Sequence, residues 1–153
     1  MSNRHHAAAL AVLALGSSVA PHASAALWSS TNTVAGIAET ATMEITFTGD
    51  QLTAGAQVDI LLPTGISNVT VTRLNAWSCT YLSASNTVRV LELDLSLNPL
   101  PTFAQPMCTI QYRVLRSTST WFPMRNAECV TVDSVVLPPS RCALDEGYLT
   151  LWR

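Results

Sequence analysis

The 153-residue chain contains no lysine, and its three histidines, His5, His6 and His22, all fall within the first 25 residues. From Ala26 onward there is therefore no imidazole, which excludes Ser-His-Asp triads and Cys-His dyads, since both need that group to shuttle a proton. The missing amine excludes Ser-Lys nucleophiles in the same way. All eight basic residues are arginine. With Arg4 set aside, seven arginines face ten Asp and Glu, a net charge of -3, and no basic run could track a phosphate backbone. Nucleic acid is not an expected partner. After the first 25 residues no apolar stretch approaches the about 20 residues a membrane-spanning helix needs, and none shows a helical period with caps.

The opening residues have the order of a secretory signal. Arg4 provides the positive charge, Ala7 to Leu15 the apolar run, and Ala23-Ser24-Ala25 a small-x-small cleavage site, with Pro21 upstream to break the helix. The apolar run is too short to span a bilayer. The cut is placed after Ala25, and the product is expected in the periplasm or the medium of a bacterium, with no membrane span in the mature form. Residues 26–153 fit one domain.

Cys79, Cys108, Cys129 and Cys142 form an even set in a chain bound for an oxidising compartment, so disulfides are expected. Of three possible pairings we favour Cys79 with Cys108, both on candidate strands, and Cys129 with Cys142, which bracket a short carboxy-terminal segment. Loops of about 30 and 14 residues would each contribute roughly 3 to 4 kcal/mol in the entropic model. The paired Cys-x-x-Cys spacing usual for a thiolate zinc site is missing.

From Thr42 the pattern has period two, which sends alternate side chains to opposite faces. Met43, Ile45 and Phe47 share one face. Gly49-Asp50 and Thr53-Ala54-Gly55 have turn chemistry, Val58, Ile60 and Leu62 alternate up to Pro63-Thr64-Gly65, and Val69 and Val71 share a face within 68–74. Trp77, Cys79 and Tyr81 line one side of the next strand, with Trp77 expected in the core beside a disulfide. In 87–95, Leu91, Leu93 and Leu95 oppose Val90, Glu92 and Asp94. The loop Asn98-Pro99-Leu100-Pro101 should cross between sheets or cover an edge. Cys108, Ile110, Tyr112 and Val114 form the clearest inward face. Two short strands, 129–132 and 135–137, precede a closing strand over 148–152. Seven to nine short strands indicate two packed antiparallel sheets, a disulfide-stapled all-β sandwich over residues 42–153. Residues 26–41 are expected to form an amino-terminal arm or an edge strand.

The stretch from Asn86-Thr87-Val88-Arg89-Val90-Leu91 through Asn98-Pro99-Leu100-Pro101 to Ile110-Gln111-Tyr112-Arg113-Val114 resembles cohesin-like and related carbohydrate-binding-like domains. In these, an x-V-R-V strand leads through a proline loop to a strand ending in I-x-F/Y-x-V. Ala54 to Ile60 looks like their early strand, so the resemblance covers roughly residues 42–115. It implies a cohesin-like or immunoglobulin-like sandwich with a dockerin-type partner or a sugar surface. The tail from Trp121 to Arg153 is not covered by it.

Among groups that could carry chemistry, Glu92 and Asp94 are paired carboxylates at i and i+2, about 7 Å apart on one face. They read more simply as a solvent-facing polar stripe, which leaves a carboxylate-dependent glycosidase a remote alternative. Asp145-Glu146-Gly147 with Asp133 lacks the spacing of a calcium loop, so no metal or cofactor is expected. Trp121-Phe122-Pro123, flanked by Ser117 to Thr120, together with Tyr148, is the best candidate for an exposed platform, since amphipathic aromatics favour binding surfaces. The leading reading is a non-catalytic binding or adhesion module for an extracellular protein or glycan, with binding residues Trp121, Phe122 and Tyr148. An assembly subunit using edge-strand pairing, with 26–41 as donor, is the alternative.

Mass spectrometry of natively produced protein is expected to show a chain starting at Ala26 with no alkylatable thiol. A retained leader, or four reactive thiols, would contradict the reading of an exported and oxidised chain.

Overall fold

The computed structural model describes residues 25–152. The segment expected to be a signal sequence, apart from Ala25, lies outside the described residues. Twelve strands are formed: β1 Ala26–Ser30, β2 Thr33–Ala35, β3 Thr40–Thr48, β4 Thr53–Leu61, β5 Ile66–Arg73, β6 Ser78–Leu82, β7 Thr87–Leu93, β8 Gln105–Val114, β9 Thr120–Trp121, β10 Met124–Thr131, β11 Cys142–Asp145 and β12 Tyr148–Leu151. A short 3-10 turn, Pro139–Arg141, precedes β11. No helix among the described residues is long and apolar enough to cross a membrane.

Two sheets face each other. The first has the order β11-β1-β3-β8-β5 and the second β10-β4-β7-β6. Every pairing in them is antiparallel except β1 with β11, which run parallel. A small third sheet, β2-β12-β9, adds Ala35 and Leu149 to the core, with Phe122 just beyond β9. Seven of the nine strands of the two main sheets, β3 to β8 and β10, are those the sequence periodicity predicts, as is β12 of the third sheet; β11 has no counterpart in the predicted set. The extra strands β2 and β9 hold three and two residues, too few to display a period.

Alternation builds the core. Met43, Ile45 and Phe47 of β3 are buried, as are Cys108, Ile110, Tyr112 and Val114 of β8, and they meet Val58 and Ile60 of β4 and Val88 and Val90 of β7. Each fully buried side chain of this size is worth about 1.5 to 3 kcal/mol relative to exposure. Trp28 packs on Phe47 with ring centroids 4.6 Å apart. Tyr112 stacks at 5.3 Å from Phe122 and satisfies its buried hydroxyl on Thr33 Oγ1 at 2.7 Å.

Residues 26–41 are divided between elements: β1 is hydrogen-bonded on one side to β3 and on the other to β11, so its backbone is paired twice over, whereas β2 is an edge strand of the third sheet. Two further expectations are revised. Thr53-Ala54-Gly55 is the start of β4 rather than a turn, because Asp50 alone closes the bend. Its Oδ1 accepts from the N–H groups of Leu52 and Thr53 and from Thr53 Oγ1, at 2.9, 2.8 and 2.7 Å. Residues 129–131 are the end of a longer strand, β10, and residues 135–137 contribute only an isolated bridge from Val136 to Val130 instead of a second strand. The proline loop does cross between sheets: Leu100 is buried, and Gly49 N–H donates to Pro101 O at 2.8 Å. Gly49 is required there, since a Cβ would meet Leu100 O and Pro101 O at 2.8 Å.

Both disulfides take the favoured pairing, Cys79–Cys108 and Cys129–Cys142. The first joins β6 to β8 and the second β10 to the start of β11. Each therefore bridges the two main sheets, and they do so at opposite borders of the four-stranded sheet.

Two buried carboxylates add ionic ties. Asp50 Oδ2 accepts from Arg141 at 2.8 Å, fixing the β3–β4 bend to the 3-10 turn. Burial pushes the Asp50 pKa up, but the bonds from Thr53, Arg141 and the Leu52 and Thr53 amides outweigh it and hold the group below the usual carboxylate value. Asp59 is held below it as well, first by the two-pronged bond from Arg89, at 2.7 and 2.8 Å, which outweighs burial, and then by Asn126.

A group whose folded pKa is depressed stabilises the fold above its unfolded pKa and loses that contribution as pH falls through the folded value. Asp50→Asn is thus expected to cost about 2 kcal/mol at neutral pH, with the gap from wild type narrowing below the unfolded carboxylate range, as read by urea unfolding across pH. Replacing Cys129 and Cys142 together by alanine should cost about 3 kcal/mol. Equal midpoints for wild type and double variant under non-reducing conditions would show that this bridge does not hold the fold.

Candidate functional site

The outward faces of the two main sheets differ in chemistry. On the five-stranded sheet, Thr42, Gln111 and Thr70 stand in one row across β3, β8 and β5, and Glu44, Thr109 and Thr72 in the next. This face carries hydroxyls, amides and charge.

On the four-stranded sheet the outward rows run from polar to apolar. Thr80, Arg89, Asp59 and Arg125 form one row across β6, β7, β4 and β10, followed by Ser78, Leu91, Gln57 and Glu128, and then by Leu93, Gly55 and Val130. Gly55 leaves the last row without a central side chain. A Cβ there would lie 3.0 Å from Leu93 Cδ1 and 4.0 Å from Val130 Cβ, so the glycine is the floor of a shallow apolar hollow of about 90 Å³ between Leu93 and Val130. Val135 and Val136, both well exposed, lie beside it through the Val130–Val136 bridge. The Arg89–Asp59 pair, with Asn126 donating to Asp59 Oδ2 at 2.8 Å, sets a fixed charged border one row beyond Leu91.

The sequence pattern did not identify this face. It separates Leu91 and Leu93 from Val90 and Glu92 correctly, but places the carboxylates toward solvent. In the structure Val88 and Val90 point inward, so Glu92 lies on the inward side at the sheet's rim and the leucines lie outside. Glu92 Oε2 accepts from Trp77 N–H at 2.9 Å. Burial, with Asp94 nearby, pushes its pKa up, against the bonds from the Trp77 and Leu93 amides. Asp94 caps its own turn, accepting from Ser96 N–H at 2.7 Å and from Asn98 at 3.3 Å. Both carboxylates are engaged in shaping backbone. The signal that could have reversed the assignment is Val88-Arg89-Val90, which sets the face of Val90 inward once Arg89 is taken as solvent-facing.

The predicted aromatic platform is partly assembled. Trp121 and Tyr148 are cross-strand partners on β9 and β12, with ring centroids 4.7 Å apart in an edge-on arrangement, and Trp121 is 56% exposed. Phe122 does not belong to the platform. It is fully buried against Tyr112, because the residue after an outward tryptophan in extended chain faces the other way. Trp77 is also corrected: it is 50% exposed just before β6 and not packed in the core. Its backbone is held by Glu92 and by Arg73, which donates to its carbonyl at 3.1 Å.

Glu146 Oε1 accepts from Met124 N–H at 2.8 Å, with Arg125 at 3.8 Å. No group of three or more acidic, histidine or cysteine side chains that could hold a metal ion occurs among the described residues, so Asp133 is not gathered with Asp145 and Glu146.

No protein-family model and no curated protein sequence matches the chain. Solved structures do. A type I cohesin from Clostridium thermocellum, solved in complex with a dockerin, superposes with a TM-score of 0.67 at 11% identity over 84% of this chain and 94% of its own. A non-cellulosomal cohesin from the archaeon Archaeoglobus fulgidus gives 0.67 at 12% identity over 85% and 93%. A type I cohesin from Pseudobacteroides cellulosolvens gives 0.64 at 13% over 83% and 92%. These matches extend well beyond residues 42–115 and leave too little outside to exclude the whole tail after Trp121. The chain folds as a cohesin-like β-sandwich with two disulfides across its sheets.

Proposed function

We propose that the protein is an exported, non-catalytic module that holds a protein partner on the outward face of β10-β4-β7-β6. The observation that carries this reading is the hollow over Gly55 between Leu93 and Val130, bordered by the fixed Arg89–Asp59 pair. An apolar centre with a polar rim is the anatomy of a protein interface, and a contiguous exposed apolar patch in a small domain marks an interaction site. The hydroxyl-rich face of the other sheet lacks such a centre. The fold likeness supports the same class of partner, since the Clostridium thermocellum cohesin was solved in complex with a dockerin. A dockerin-like protein is the partner class we assign.

The assembly alternative is less favoured, because within residues 26–41 β1 is already paired on both sides, leaving only the three-residue edge strand β2 open on one side. The glycosidase alternative loses its pair, because Glu92 and Asp94 are bound to backbone amides.

Photo-crosslinkers placed at Leu91 and Gln57, and at Thr42 and Thr70 as controls, test the assignment in extracts of the producing organism. One protein should be captured from the first pair and not the second, and Leu93→Arg should weaken its binding about tenfold or more. Capture from the Thr42 side, or binding indifferent to Leu93→Arg, would refute the face.

A further inference from the structure

A second surface remains outside that reading. Trp121 and Tyr148 border a hollow of about 350 Å³ whose other walls are Asp145, Glu146, Asn32, Thr150 and Ser30. β9 and β12 place the two rings side by side, and β11 ends at Asp145 opposite them. We infer that this hollow is a saccharide-binding site.

Two features carry the assignment. The indole of Trp121 presents an open face while the edge contact with Tyr148 steadies it, which is what stacking on the apolar face of a sugar ring requires. The polar lining mixes donors with acceptors. No described side chain donates to Asp145, Glu146 keeps Oε2 beyond its bond to Met124, and Asn32 spends its carbonyl oxygen on Tyr148 N–H at 2.9 Å, leaving its amide nitrogen to donate. The hydroxyls of Tyr148 and Thr150 add groups that do both. Sugar hydroxyls, each donor and acceptor at once, match such a set. A cationic side chain would need acceptors alone, and Arg125 already lies 3.8 Å from Glu146.

The volume suits a short stretch of glycan, at the low end of small-ligand sites.

Isothermal titration calorimetry of the oxidised protein with four neutral β-1,4-linked hexasaccharides, of glucose, xylose, mannose and N-acetylglucosamine, tests the site. At least one should bind saturably. Trp121→Ala and Asp145→Asn should each weaken it about tenfold or more, with near-ultraviolet circular dichroism reporting an intact fold. Trp77→Ala, an exposed indole elsewhere, and Leu93→Arg, on the outward face of the four-stranded sheet, should leave it unchanged, so this site and the sheet-face reading fail independently. No binding of any of the four, affinity unaltered by Trp121→Ala, or Trp121-dependent binding of poly-L-lysine in place of the saccharides would overturn the assignment.

Discussion

The two cross-sheet disulfides are the constraint on which the rest of the molecule depends. A sandwich holds its layers together only through side chains that interdigitate between them, and such contacts have no fixed register of their own. Here Cys79–Cys108 and Cys129–Cys142 tie the layers covalently at both borders of the four-stranded sheet. Between these ties lie Ile45, Val58, Val90 and Ile110, all fully buried. The Asp50–Arg141 bond reinforces the second border, since Arg141 immediately precedes Cys142. A core of modest side chains then suffices, with Trp28, Tyr112, Phe47 and Phe122 as its large members.

With the layers fixed, the outward faces are free to differ. One presents threonines in register across three strands. The other presents leucine and valine around a glycine, beside an arginine whose fork is locked onto a buried aspartate. The contrast arises because the second sheet sets Gly55 of β4, which has no side chain, between Leu93 of β7 and Val130 of β10. The small third sheet contributes a further surface by clamping the end of the chain against the start: β12 pairs in parallel with β2 while β9 pairs on its other side. Trp121 and Tyr148 become neighbours only through that clamp, 27 positions apart in sequence.

The fold class was legible because its signal is local. Alternation in 42–48 and 108–114 identifies inward residues from neighbours two positions away, and the burial of Met43, Ile45, Phe47, Ile110 and Tyr112 follows. The cysteine pairing was legible for a related reason, since Cys79 and Cys108 sit on strands the pattern had already assigned and Cys129 and Cys142 are close in sequence. The candidate sites were less so. Alternation says which residues share a face and is silent on which face is inside, so Glu92 and Leu91 were separated correctly and oriented wrongly. Phe122 was misassigned because a two-residue strand carries no period. Gly55 read as a turn, whereas it lies within a strand and opens a hollow.

What the sequence determined by itself is the chemical repertoire and the strand content: no imidazole after residue 25, no amine side chain, four paired cysteines, and stretches of period two. These follow from residue identity and from short-range sterics, which act over a few positions. Tertiary structure decided which side of each strand meets water, whether residues 26–30 pair on one edge or two, and which distant side chains share a surface. Those outcomes depend on pairings between strands far apart in the chain, and one sheet's choice of inner face is settled only when the other sheet closes over it.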